Sequence, residues 1–169
     1  LFYNRFEWKI NDRMVKSIGV PISSFHAHVE KSPFLGRYTF NLCEASPRTR
    51  KAIKGQLEAA YRIADAHPKS VMTDSPVMVF HAGVARDDED REAALLRLRM
   101  NIEFIAATNK LLYEKYGCDR KVIPTIENSP NERRWICQTL DDCGRAISGY
   151  SDEVKLTLDY GHAMTVRGG

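Results

Sequence analysis

Four short apolar segments of the sequence each lead to a residue whose side chain binds metal ions. Three of them end at His26, His81 and Glu127, and the fourth ends at Asp159, with His162 three residues further on. Imidazole and carboxylate groups are ligands for divalent ions such as Zn²⁺, Mn²⁺, Co²⁺ or Mg²⁺, and the two oxygens of a glutamate can bridge two ions. The pattern predicts a divalent-metal centre formed by these five residues.

The apolar segments themselves have the length of buried β-strands. They cover residues 21–25, 77–80, 122–126 and 154–158, and each is followed by a turn and a helical pattern. Strands that alternate with helices form parallel sheets. Because parallel strands all point the same way, the residues just past their C-terminal ends converge on one face of the sheet. The predicted ligands therefore meet there.

Four helical patterns accompany these strands. The first covers 4–16 and stops at Gly19, and the second begins at Ser46-Pro47 and ends before Pro68. The third is the longest; residues 87–90 form its acidic first turn, which suits the helix dipole, and Gly117 closes it. The fourth is predicted to begin at 129–131, and its apolar stripe is Ile136, Leu140, Cys143 and Ile147.

This alternation fits either an open doubly wound sheet or a (β/α)₈ TIM barrel. The first requires a glycine-rich phosphate turn, and the sequence has no G-x-G-x-x-G motif. A barrel explains better why nearly every strand end carries a functional side chain. A complete barrel needs about 250 residues, so residues 1–169 are predicted to be a single partial TIM-barrel domain of the α/β class. Its later strands are expected outside this chain, and a further strand is predicted at Leu1–Tyr3.

Composition excludes few classes of function. The chain has 25 Lys and Arg against 22 Asp and Glu, a net charge of +3 that neither requires nor excludes a phosphate-bearing partner. No apolar run approaches the roughly 18 residues needed to span a membrane, and no signal peptide is recognisable, so the cytoplasm is predicted. The four cysteines form no C-x-x-C pair and are predicted to be reduced, mostly buried thiols.

Motifs at the strand ends resemble those of the xylose isomerase-like TIM-barrel superfamily. This superfamily includes sugar-phosphate isomerases and epimerases and the endonuclease IV family of abasic-site nucleases. The resemblance spans essentially the whole chain, with the motifs in the right order. They are Ser24-Phe25-His26-Ala27-His28, Phe80-His81-Ala82-Gly83, Ile126-Glu127-Asn128 and Leu156-Thr157-Leu158-Asp159-Tyr160-Gly161-His162-Ala163.

The resemblance implies a role for each candidate residue. Glu127 and Asp159 would bind the metal shared across the superfamily, and His81 and His26 would hold a further zinc in the nuclease branch. His162 would bind a third zinc in the nucleases or contact the substrate in the isomerases. Glu127 and His162 are accordingly the predicted catalytic residues. The remaining ligands in both branches lie on later strands.

Two activities follow from this ligand set. In an isomerase or epimerase the metal polarises a carbonyl and a hydroxyl of a small sugar or sugar phosphate, while Glu127 and a second acid move a proton at the adjacent carbon. In a nuclease a zinc cluster activates water against the phosphate beside an abasic sugar, and only this alternative requires DNA. A catalytically inactive barrel that serves as a binding protein is a third interpretation. A homo-oligomer is compatible with all three.

Departures from the nuclease pattern favour the isomerase or epimerase. Val29 stands where the nucleases typically have a tyrosine, a glycine-rich stretch does not follow Glu127, and Gly161 replaces the cysteine favoured before the histidine. Retention of both His26 and His81 argues in the other direction. Asn128 either hydrogen-bonds a ligand or caps its loop, and the sequence leaves both roles open.

Overall fold

The computed structural model describes residues 17, 22–27, 40–68, 75–86, 90–117, 121–131 and 134–165. Two predicted elements lie outside this set: the helix at 4–16 and the strand at Leu1–Tyr3. His28, Val29 and Cys118 also lie outside it. Strands and helices alternate along the described residues in the order β1 (Ser24–His26), α1 (Pro47–Ala66), β2 (Val77–His81), α2 (Arg91–Tyr116), β3 (Ile123–Glu127), α3 (Leu140–Ile147), β4 (Lys155–Thr157) and α4 (Tyr160–Ala163).

The four strands form one parallel sheet in the order β1-β2-β3-β4. His26 pairs with Val79, while His81 pairs with Glu127, which in turn pairs with Thr157. Neighbours in the sheet are thus neighbours in the sequence, as successive βαβ units require. The predicted parallel α/β architecture is confirmed.

The two faces of this sheet differ in chemistry. Side chains alternate between faces along a strand, so residues that are paired in register share a face. Met78, Phe80 and Ile126 lie on one face and belong to the hydrophobic core, which they form with the buried stripes of the helices. The opposite face carries His81 and Glu127. One face of the sheet thus supports the fold, and the other is left for polar side chains.

Local sequence signals explain the limits of the two long helices. Ser46 caps α1, where its hydroxyl accepts a hydrogen bond from the Thr49 amide at 3.1 Å, and Pro47 occupies the first turn. Asp90 caps α2, and Gly117 ends it in the left-handed conformation with φ 53°. Both ends of α1 and the end of α2 therefore lie where the sequence predicts, whereas α2 begins at Arg91, with Asp90 as its N-cap rather than within its first turn. In the described part of the chain no helix has the length and apolarity to span a membrane.

The predicted start of the fourth helix at 129–131 is wrong. The helix, α3, begins only at Leu140, after the N-cap Thr139, and Leu140 is 62% exposed rather than part of a buried stripe. Residues 134–137 instead form a loop in which Arg134 and Cys137 have φ 79° and 61°, outside the range of a right-handed helix. The structural reason is a bridge between this loop and the loop after β2.

That bridge ties the connections after β2 and β3 together. Val84 and Trp135 pair as an isolated antiparallel bridge, in which the Ala85 amide donates to the Arg134 carbonyl at 2.8 Å and the Ile136 amide donates to the Gly83 carbonyl at 3.0 Å. Backbone groups that a helix would satisfy internally are bonded across the two loops instead. Three cysteines of the described residues are buried thiols outside any disulfide, as predicted: Cys43, Cys137 and Cys143.

Candidate metal centre

The C-terminal ends of the strands bring the predicted site residues to one edge of the sheet. His26, His81 and Glu127 are the last residues of β1, β2 and β3, and Asp159 follows two residues after β4 ends. His81 and Glu127 are aligned in register, whereas His26 aligns with Val79 and so lies two residues lower on the sheet. Alternation of side chains directs all three strand-terminal residues to the same face.

Three of these residues form a compact cluster. Glu127, Asp159 and His162 each offer a ligand atom, and these atoms all lie within 4.8 Å of one another. Glu127 is buried and the other two are half-buried. Asp159 also caps the short helix α4, because its Oδ1 accepts a hydrogen bond from the His162 amide at 3.0 Å. Its other oxygen, Oδ2, lies 3.8 Å from His162 Nδ1.

His81 and His26 lie around this cluster rather than within it. His81 Nδ1 is 3.1 Å from Glu127 Oε2, and its side chain is 27% exposed. His26 is exposed at the end of β1, close enough to His81 for its charge to disfavour protonation there. The structure therefore brings His81 into contact with the cluster through Glu127 and leaves His26 at its margin.

The electrostatics of the cluster favour the protonation states that bind metal. Burial lowers the pKa of His81, a shift that Glu127 opposes and that His162 and His26 reinforce. The His162 amide, by hydrogen bonding, lowers the pKa of the Asp159 carboxyl. At neutral pH the site therefore holds a neutral His81 imidazole and an ionised Asp159. Neutral imidazole and carboxylate are the forms that coordinate metal ions.

The donor set fits a divalent cation. Glu127 Oε2 is buried and has no hydrogen-bond partner among the described residues, because its contact with His81 lacks hydrogen-bond geometry. A buried carboxylate oxygen without a donor is costly, and a second carboxylate, that of Asp159, lies nearby. A cation between the two carboxylates would bind the unpaired Glu127 oxygen and offset the repulsion between the two negative charges. Two carboxylates and an imidazole suit Zn²⁺, Mn²⁺ or Co²⁺.

Asn128 is the residue at this site whose role the sequence left open. Its side-chain oxygen accepts a hydrogen bond from the Asp159 amide at 2.6 Å, and its side-chain nitrogen donates to the Asp159 carbonyl at 3.0 Å. Its own carbonyl lies 2.8 Å from His162 Nδ1. The structure thus shows Asn128 in the second of its two predicted roles, hydrogen bonding within the protein that fixes the loop, rather than bonding to a ligand. The only sequence signal was its position directly after Glu127.

A solved structure shares this architecture. The chain is similar to a D-tagatose 3-epimerase-like protein, with a TM-score of 0.63 and 21% sequence identity over 95% of this chain and 52% of that one. The chain has the fold of a partial TIM barrel. It spans about half the length of that protein. No protein-family model matches the sequence, and no curated protein matches it.

Proposed function

We propose that this chain carries the metal-binding part of a divalent-metal-dependent sugar or sugar-phosphate isomerase or epimerase. The observation that carries the proposal is the cluster of Glu127, Asp159 and His162 at the C-terminal ends of parallel strands, where TIM barrels have their active sites. The similar solved protein is described as D-tagatose 3-epimerase-like, which favours a sugar substrate. Further strands beyond β4 would complete the barrel around this site.

In the proposed metal centre, a carboxylate oxygen of Asp159, a carboxylate oxygen of Glu127 and an imidazole nitrogen of His162 would hold the ion. A bound divalent ion polarises carbonyl and hydroxyl oxygens and so acidifies the carbon–hydrogen bond next to the carbonyl. His81, neutral at pH 7 and in contact with Glu127, is suited to hydrogen bonding with a sugar hydroxyl. His26, at the margin of the cluster, would contact the substrate.

The reaction itself is a proton transfer at carbon. Glu127 accepts the proton from the carbon beside the carbonyl, and the electron pair of the broken bond moves into the carbonyl to give an enediolate. Return of a proton to the other face, or to the neighbouring carbon, gives the epimer or the isomer. The second acid–base group that this requires would come from a further strand of the barrel.

Exchange with deuterium measures this activity without knowledge of the sugar. The full-length protein, with the further barrel strands proposed beyond β4, would be loaded with Mn²⁺ or Co²⁺ and incubated in D₂O with ketohexoses, ketopentoses and their phosphates. Proton NMR should show loss of the signal at the carbon beside the carbonyl. Glu127→Gln should abolish the exchange, whereas Glu153→Gln, an exposed acid away from the cluster, should leave it unchanged. Absence of exchange from metal-loaded protein with every substrate would contradict the proposal.

One feature favours an abasic-site endonuclease as the second candidate. His81 contacts Glu127, and His26 lies near His81, so the site has more imidazoles than one metal requires. The zinc-loaded protein would therefore also be tested for incision of a duplex with one abasic site. Incision that Glu127→Gln abolishes, with no sugar exchange, would establish this alternative. A protein that binds metal but does neither would be a binding protein.

A further inference from the structure

Asn128 is bonded to the β4 end of the site by four of its polar groups. Its amide donates to the Thr157 carbonyl at 3.3 Å, which continues the β3–β4 ladder by one residue. Its side chain then bonds both polar groups of the Asp159 backbone, the amide at 2.6 Å and the carbonyl at 3.0 Å. Its carbonyl meets His162 Nδ1 at 2.8 Å. Asn128 is 3% exposed, so water does not compete for these bonds.

The two-point contact with Asp159 requires a carboxamide. An asparagine side chain has the same donor and acceptor as a peptide group, so it pairs with the Asp159 backbone as a neighbouring strand would. An aspartate could accept from the Asp159 amide, but it would have no donor for the Asp159 carbonyl and would add a third negative charge beside Glu127. The turn between β4 and α4 is thereby fixed to the end of β3.

The carbonyl of Asn128 also determines the state of the His162 ring. A carbonyl can only accept a hydrogen bond, so Nδ1 of a neutral His162 must carry the proton in this contact. Nε2 then has the free lone pair that a ligand nitrogen needs. At Asp159, Oδ1 accepts from the His162 amide, and Oδ2 is the oxygen left for a ligand.

We propose that Asn128 is a positioning residue that holds Asp159 and His162 in the arrangement needed to share an ion with Glu127. The inference rests on the proposed metal centre, but the contacts that carry it involve the protein alone. Asn128 itself does not touch the ion or the substrate. Loss of its side chain should release the β4–α4 turn and weaken metal binding, since partners that orient ligands contribute about 10- to 100-fold in affinity.

Asn109 offers a matched control. It is also a buried asparagine, 2% exposed, and its side-chain nitrogen donates to the Val122 carbonyl at 2.9 Å. Val122 directly precedes β3, so Asn109 bonds the chain at the opposite end of the same strand. Asn109→Ala should lower stability through a comparable loss of buried hydrogen bonds, without effect on the proposed metal centre.

The test measures two quantities in the full-length wild type, Asn128→Ala, Asn128→Ser and Asn109→Ala. The affinity for Mn²⁺ is measured by calorimetric titration, and hydrogen exchange at the Asp159 amide is measured by NMR without metal. Asn128→Ala should bind Mn²⁺ about 10- to 100-fold more weakly, and its Asp159 amide should exchange at least about tenfold faster. Asn128→Ser should change both in the same direction if the alanine variant fails to fold. Asn109→Ala should leave both unchanged.

The outcomes separate this inference from the proposed function. Wild-type exchange at Asp159 in Asn128→Ala and Asn128→Ser would overturn the positioning role, as would faster exchange with undiminished Mn²⁺ affinity. An equal loss of affinity in Asn109→Ala would also overturn it, because the effect would then be general destabilisation. If the wild type binds no Mn²⁺, the proposed metal centre fails, and the exchange rate at Asp159 alone decides whether Asn128 fixes the turn.

Discussion

Gly83, two residues after His81, is the backbone position at the site that tolerates a side chain least. It has φ 100°, in the region that favours glycine, and a Cβ added there would lie 2.2 Å from Asn41 Oδ1. Asn41 is buried and fixes this loop, since its Oδ1 accepts from the Val84 amide at 3.1 Å and its Nδ2 donates to the Val84 carbonyl at 2.9 Å. The loop after His81 therefore requires a close approach between Gly83 and Asn41 that only glycine permits.

Gly83→Ala should lower the free energy of unfolding by about 2–4 kcal/mol, because it combines backbone strain with loss of the Asn41 hydrogen bonds. Urea denaturation would measure the loss. Gly55→Ala is the control, since Gly55 lies within α1 with no atom within 4 Å of an added Cβ. That change should be neutral or stabilise by up to about 1 kcal/mol. Equal effects of the two substitutions would contradict the structural role of Gly83.

The positions of the candidate site residues at strand ends were predictable from the sequence. His81 and Glu127 were placed there because each closes an apolar segment, and that signal is local. The roles of Asn41 and Asn128 could not be read in the same way, because their partners lie 43 and 31 residues away along the chain. The hydrogen-bond partner of a short polar side chain in a loop can be predicted only when the sheet register is known. The metal itself stays a prediction.

At the scale of elements, an acidic residue joins α1 to α2. Glu58 on α1 accepts hydrogen bonds at Oε1 from Arg62 at 3.0 Å, from Lys115 of α2 at 3.0 Å and from the Tyr116 hydroxyl at 3.2 Å. Partial burial raises the pKa of Glu58, but hydrogen bonds from Lys115 and Arg62 outweigh it and lower the pKa below its usual value. The folded state thus stabilises the Glu58 carboxylate.

This network makes stability depend on pH in the acidic range. Because the folded pKa of Glu58 is lowered, its contribution is fully present above the unfolded pKa and is lost as the pH falls through the folded value. Glu58→Gln should therefore cost about 0.5–1 kcal/mol at pH 7 and little at pH 3. Thermal unfolding between pH 7 and pH 3 would measure it, with Glu103→Gln, an exposed acid of α2, as control. A pH-independent cost would contradict the ionic role.

Helix ends were predicted correctly where a capping residue marks them in the sequence. The prediction was wrong where long-range hydrogen bonds determine the backbone conformation. Ser46 and Gly117 marked the ends of α1 and α2 in the sequence, and the structure has them as caps. The apolar periodicity around Ile136 suggested a helix. The Val84–Trp135 bridge instead satisfies the backbone of that segment, a long-range contact that no local pattern contains.

At the scale of the molecule, the described residues leave the β4 side of the sheet incompletely covered. Leu156 lies on the helix-facing side of β4 and is 39% exposed, and Leu158, two residues further, is 57% exposed. Tyr160 and Met164 beside them are 71% and 68% exposed. Within the described residues β4 is an edge strand. Open strand edges and exposed apolar patches favour association.

Expressed alone, residues 1–169 should self-associate at micromolar concentrations, because the further strands proposed beyond β4 would not be there to cover this edge, and Leu158→Glu should shift the association towards the monomer. Sedimentation velocity would measure the change, which should leave the free energy of unfolding within about 0.5 kcal/mol of wild type. Leu111→Glu is the control, because Leu111 is 66% exposed and belongs to α2 rather than to β4. Association that Leu158→Glu leaves unchanged, or that Leu111→Glu reduces equally, would contradict this account of the β4 edge.

Titration of the full chain with Mn²⁺ tests most directly whether the ends of β3 and β4 form a metal centre. The wild type should bind one ion per chain, and Glu127→Gln and Asp159→Asn should each weaken binding on the order of 100-fold, because each removes a charged ligand. Glu153→Gln, which changes an exposed carboxylate outside the cluster, should bind like the wild type. Absence of binding at millimolar Mn²⁺, or binding that Glu127→Gln does not alter, would contradict the metal centre.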